Sequence, residues 1–140
     1  TYYQFLEKHG IEVREELVRE AKYRDSLTAG IITGELLRLP NPPTCILYAD
    51  DFSTIGGMNT IKNMGLRVPE DVSIAGYDGI MIASQLQPPL TTYKQHTENI
   101  GKAAAEKLIN LIEKPKATIL KQYIVEGELI KGGSVGKVPF

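Results

Sequence analysis

Cysteine is almost absent from this 140-residue chain, tryptophan is missing, and neither sign of charge prevails. The single Cys45 excludes a disulfide framework, and its apolar neighbourhood reads as that of a small buried thiol, with a reactive nucleophile as the alternative. Lys and Arg number 16 against 17 Asp and Glu, so a net charge of −1 supplies no long-range attraction to nucleic acid or to an anionic membrane. No window holds the ~18 consecutive apolar residues of a membrane span, and no basic-then-apolar leader precedes the first polar helix. His9 and His96 lie far apart without ligand spacing, so neither a metal centre nor a cofactor is expected. Gly-rich phosphate loop, nucleophile elbow and Ser/His/Asp set are all missing, and catalysis is not supported. The order Asp50-Asp51, Asp78, Thr91 or Thr92, Lys94 superficially matches a phospho-accepting receiver domain. Only one helical pattern separates Asp51 from Asp78, however, which fits adjacent strands and not that fold.

What remains is 42% hydrophobic and 24% charged, enough for one domain with a real core. Helical and strand patterns alternate, the mark of a mostly parallel sheet covered by helices. A helix over 2 to 9 closes at His9-Gly10, and a short strand is expected within Glu16 to Ala21. Ser26 is placed to cap a helix to about Arg38 with Leu27, Ile31, Gly34 and Leu37 as its apolar stripe, before Pro40, Pro42 and Pro43 forbid continuation. Thr44 to Ala49 reads as a central parallel strand. The next helix runs from about Phe52 to Met64, with Phe52, Ile55, Met58 and Ile61 at helical spacing. Strands follow from Val72 and over Leu90 to Tyr93, with a short helix near Ile80 to Ser84 between them. Ile100, Ala104, Leu108, Leu111 and Ile112 mark an amphipathic helix over 97 to 113, and 122 to 126 and 129 to 135 are the last strand material.

The stretch Leu66-Arg-Val-Pro-Glu-Asp-Val-Ser-Ile-Ala-Gly-Tyr-Asp78 is a turn followed by a buried strand that ends on a carboxylate. Open α/β sheets place ligand contacts at such strand ends. Together with Ala49-Asp50-Asp51 upstream and Pro88-Pro89-Leu90-Thr91-Thr92-Tyr93-Lys94-Gln95 downstream, it resembles the effector-binding domain of LacI/GalR-family transcription regulators. The resemblance covers nearly the whole chain, and the order of the three signatures is more specific than any one of them. It implies a doubly wound α/β fold of the periplasmic-binding-protein type, a small-molecule effector, a homodimer and a cytoplasmic location. Operator DNA would be reached only through a helix-turn-helix headpiece that this chain does not contain.

On that basis Asp78 is the first candidate for an effector contact, an acceptor suited to a polyol or an amine, with a turn-forming role beside Gly79 as the alternative. Asp51 is expected to cap the helix that follows, leaving Asp50 to face the effector where the family usually has Asn. Two such carboxylates would favour a donor-rich or cationic ligand over a phosphorylated one. Tyr23 falls where the family packs an aromatic on the effector, although the acidic-Ser-Gly step expected after it is here Ser26-Leu27-Thr28. Gln95 stands at the crossover between lobes, either on the effector or on hinge backbone. The family's effector-gripping Arg precedes the position of Thr1, so half a site is expected here.

The resemblance further implies that helix 97 to 113 belongs to the other lobe, with the chain crossing back near residue 120. Its stripe Ile100, Ala104 and Leu108 should then be exposed or packed on another copy of the chain. The dimer surface would involve Ile55, Met58, Ile82 and Leu86. A secreted sugar-binding protein of a transporter shares the fold and is the rival reading.

Overall fold

The computed structural model describes residues 2–115 and 122–137. It contains four helices, α1 (Tyr2–Lys8), α2 (Ser26–Leu37), α3 (Asp51–Asn63) and α4 (Thr97–Glu113), and four strands, β1 (Cys45–Leu47), β2 (Ser73–Asp78), β3 (Thr91–Lys94) and β4 (Glu128–Ile130). The strands form one sheet in the order β1-β2-β3-β4. The first two pairings are parallel, with Ile46 opposite Ile74 and Asp78 opposite Lys94, and β4 closes antiparallel with Leu129 opposite Tyr93. The expected mostly parallel α/β sheet with flanking helices is therefore present. The parallel arrangement brings the carboxyl ends of β1, β2 and β3 to one side.

Burial explains why α2 and α3 sit together. Ala29, Leu36, Met58, Ile61, Ile74 and Leu90 belong to one core cluster, and Met58, Ile61, Ile74 and Leu90 are at most 1% exposed. Each such aliphatic side chain contributes about 1.5–3 kcal/mol on burial. Close approach of the two helices depends on glycine: a Cβ at Gly56 would run into the backbone carbonyl of Ser26, and one at Gly30 would meet Gly56. The helix pair consequently turns an unexpected face inward. Of the expected α2 stripe, Gly34 is buried and Leu37 partly so, but Leu27 and Ile31 are exposed, while Ala29, Gly30, Thr33 and Leu36 face the core. Small residues won those positions because backbone proximity, not side-chain bulk, sets that contact.

Other expectations also give way. Asp25, not Ser26, caps α2: its carboxylate accepts from the Thr28 amide at 3.0 Å and from the Thr28 hydroxyl at 2.7 Å. Glu16 to Ala21 is not a strand; a 3₁₀ turn at Glu15–Leu17 leads into chain with no ladder partner among the described residues. The run from Thr44 yields a short edge strand in place of a central one, and so Cys45 is exposed, not buried. Its thiol is nevertheless pushed up by desolvation, the opposite of nucleophile activation. Residues 122 to 126 form no strand, and only Glu128–Ile130 joins the sheet.

The amphipathic helix α4 buries none of its residues, with Ile100 at 41% and Leu108 at 58% exposure. Exposure of this stripe is as the sequence led us to expect. The return crossing near residue 120 lies outside the described residues. No helix among the described residues is long and apolar enough to cross a membrane.

Candidate functional site

Three of the four candidate residues converge at the carboxyl ends of the parallel strands. Asp78 ends β2, and its backbone at φ 112 turns directly into Gly79 at φ 71. The Tyr23 hydroxyl donates to Asp78 Oδ2 at 2.5 Å, and Gln95 Nε2 donates to Asp78 Oδ1 at 2.8 Å. Gln95 is held in place by its own amide, which donates to the Asp78 carbonyl at 3.1 Å. A carboxylate offers about four lone-pair positions. Among the described residues Tyr23 and Gln95 take up two of them, so the carboxylate keeps capacity to accept further hydrogen bonds. Bonding to Asp78, with desolvation adding to it, raises the Tyr23 hydroxyl above the ordinary tyrosine range, so Tyr23 stays protonated as a donor. Tyr23 itself is 62% exposed, presenting ring and hydroxyl to solvent.

The fourth candidate is corrected. Asp50 is fully buried and is the N-cap of α3, accepting from the Ser53 amide at 2.8 Å and the Ser53 hydroxyl at 2.8 Å. It also accepts from the Arg24 amide at 3.0 Å. Burial acts to raise its pKa, but these hydrogen bonds together outweigh it, and the carboxyl lies below the usual range. Asp50 is thus turned inward and engaged by the protein itself, and it pins the loop that carries Tyr23. Asp51, expected as the cap, instead turns into the sheet at 1% exposure, where Oδ1 accepts from the Thr92 hydroxyl at 2.6 Å and Oδ2 from the Ile80 amide at 2.9 Å. Asp50 takes the capping role expected of Asp51 because a cap needs an extended residue before the helix, and Asp51 becomes an internal acceptor. Asp50, at φ −157 and ψ 165, has that conformation, whereas Asp51 already lies in the first helical turn.

Sequence reasoning missed Arg24. Its backbone stands at φ 60, and its guanidinium lies 4.4 Å from the centroid of the Phe52 ring. Arg24 and Asp78 are the non-glycine residues with positive φ among those described, and Arg24 directly follows Tyr23, which bonds to Asp78. Such strain, about 1–3 kcal/mol each, persists where surroundings over-determine it and clusters at functional positions. No residue-type signal marks a left-handed arginine in a sequence. Of the expected dimer residues, Met58 is corrected to a core residue at 1% exposure, whereas Ile82 is 44% exposed and Ile55 and Leu86 are partly buried. Among the described residues, no group of three or more His, Cys, Asp or Glu side chains is placed to hold a metal ion.

Comparison with known proteins agrees with this geometry. The model of the periplasmic binding protein-like domain matches residues 1–135. The "Probable HTH-type transcriptional repressor ExuR" of Bacillus subtilis (strain 168) is 38% identical over 116 residues, 82% of this chain and 34% of that protein. The HTH-type transcriptional repressor CytR of Escherichia coli (strain K12) is 31% identical over 138 residues, 99% of this chain and 40% of that protein. The chain thus spans roughly a third to two fifths of the length of these curated relatives. Among solved structures, the transcriptional regulator CelR in complex with cellobiose superposes with a TM-score of 0.85 at 28% identity, over 95% of this chain and 40% of that one. The lac repressor dimer bound to operator and the anti-inducer ONPF superposes with a TM-score of 0.83 at 26% identity, over 96% of this chain and 45% of that one. With a parallel sheet, a polar cluster at its carboxyl edge and these relatives, the chain belongs to the periplasmic binding protein-like domain family in the form it takes in LacI-type transcriptional regulators.

Proposed function

We propose that this chain is the effector-sensing and dimerising portion of a DNA-binding transcriptional repressor that responds to a small hydroxylated molecule of the sugar class. The observation that carries the reading is the Tyr23–Asp78–Gln95 cluster, whose remaining acceptors and donors suit a polyol and whose edge position suits a ligand held between two lobes. The reading is one of ligand binding, in line with the transcriptional repressors that this chain resembles. Ligand closure between lobes would shift the population of a homodimer between forms that fit the operator and forms that do not. Such a protein works in the cytoplasm, beside its DNA.

The exposed stripe of α4 supports a partner surface for that helix in the second lobe, and the exposed Ile82 supports a place at the subunit contact together with Ile55 and Leu86. The rival reading, a secreted sugar-binding protein of a transporter, shares the fold and the strand-edge site. The repressor relatives favour the regulator. The deciding experiment is to read the coding sequence upstream of Thr1 in the source gene and to assay its product on DNA by gel shift. A helix-turn-helix with sugar-dependent DNA binding supports the proposal; a basic-apolar leader without DNA binding overturns it.

A further inference from the structure

The charge of this site differs from what its three aspartates suggest. Asp50 is fully buried with its oxygens engaged by Arg24 and Ser53, and Asp51 is buried against Thr92 and Ile80. Asp78 is the remaining acid of the three, and Tyr23 and Gln95 already share its charge. Next to Tyr23 on the loop before α2 stands Arg24, an exposed residue whose amide is held by Asp50 and whose guanidinium rests on the Phe52 ring. Among the described residues, ion pairs join Arg14 to Glu16, Arg67 to Asp71 and Lys94 to Glu128, and Arg24 enters none of them.

Stacking on an aromatic ring uses the face of a guanidinium and leaves its edge donors free. Here the backbone is fixed in a left-handed conformation, with the amide clamped by a buried carboxylate. The stem therefore starts from a set point, and part of the ordering cost of ligand binding is met in the free protein. A planar fork with free edge donors matches a carboxylate in a bidentate pair. Its single positive charge balances one negative charge. A phosphate ester near two negative charges is a poorer match beside Asp78.

Resting on the sugar-sensing reading above, we propose that Arg24 makes this site selective for a sugar acid, with its guanidinium pairing with the ligand carboxylate while Asp78, Tyr23 and Gln95 hold ring hydroxyls. The test is a chemical-shift titration of the full-length protein encoded by the source gene, in which both lobes are present, following backbone amides and the arginine Nε–Hε signals, with glucuronate, glucose and glucose 6-phosphate. These share one ring and differ at C6. Glucuronate is expected to bind about fivefold more tightly than glucose, the upper range for an ion pair open to water, and added salt should shrink the margin. Arg24→Gln should erase the margin, while Lys22→Gln, on the same exposed loop, should leave the margin intact. Glucose binding as tightly as glucuronate, a margin that survives Arg24→Gln, or a preference for the phosphate ester would each overturn the inference while leaving sugar sensing in place. No shift at Tyr23, Asp78 or Gln95 with any of the three sugars would refute the sugar-sensing reading and the inference with it.

Discussion

Asp51 is the residue whose loss should most clearly separate the fold from the ligand site. Its carboxylate, 1% exposed, bridges β3 through the Thr92 hydroxyl and the turn after Asp78 through the Ile80 amide. Asp51→Ala would leave two donors without this partner, the buried Thr92 hydroxyl and the part-buried Ile80 amide. Each such donor costs about 1–3 kcal/mol, offset in part by removing a charge from a desolvated site. We expect a net loss of about 2–4 kcal/mol, a large share of the stability of an ordinary domain. Asp51→Asn keeps the shape, lets its amide oxygen accept from Ile80 and its NH₂ donate to Thr92 Oγ1, and should cost about 1–2 kcal/mol, the difference between a charged and a neutral acceptor. Urea denaturation reads these as shifts in midpoint at constant slope. Amide exchange at Gly79 and Ile80 should quicken in Asp51→Ala more than exchange in α2, since the anchored turn opens first. A stability loss below about 0.5 kcal/mol in Asp51→Ala, the range of an ordinary surface change, would refute the argument that this carboxylate ties the site to the sheet.

Three further outcomes are expected. Burial pushes the Tyr48 hydroxyl up to about 12, partly countered by its 2.8 Å bond with Thr33. Because the folded value lies above the unfolded one near 10, this stability is complete below about pH 10 and is lost as pH rises toward 12, roughly 2–3 kcal/mol in all. Tyr48→Phe should flatten that alkaline loss in denaturation midpoints measured across pH 9–12, and an unchanged loss would count against it. Gly56→Ala should cost about 1–3 kcal/mol because the new Cβ meets the rigid Ser26 carbonyl, and a thermal midpoint equal to that of the parent would contradict the glycine contact. Ile82→Asp should lower self-association in sedimentation velocity without loss of fold, since Ile82 is exposed, whereas Leu86 packs partly on the core and is a poorer probe. An unchanged mass would remove Ile82 from the subunit contact.

Alternating periodicity, proline stops and the apolar strand before Asp78 were enough to establish the α/β class and the order of most elements, whereas the exposure of the α4 stripe followed from the family resemblance. Class and order are local properties, carried by spacing along the chain. Asp78 was legible as the carboxylate that ends a buried strand, while Tyr23 and Gln95 were legible only through their place in the family's pattern. Spacing could not tell Asp50 from Asp51. Adjacent residues differ there by one step of backbone, and the choice of cap depends on where the helix begins in three dimensions. Nor could it show that Leu27 and Ile31 face outward while Gly30 and Gly34 face inward, because that face is selected by how closely α3 can approach. Arg24 was invisible for a similar reason: its conformation is imposed by Asp50, twenty-six residues later, and by the Phe52 ring. The sequence by itself determined the class of fold and the location of the candidate site. The tertiary structure decided which carboxylates are consumed as internal hydrogen-bond acceptors, since only packing brings Asp50 against Arg24 and Ser53 and Asp51 against Thr92 and Ile80.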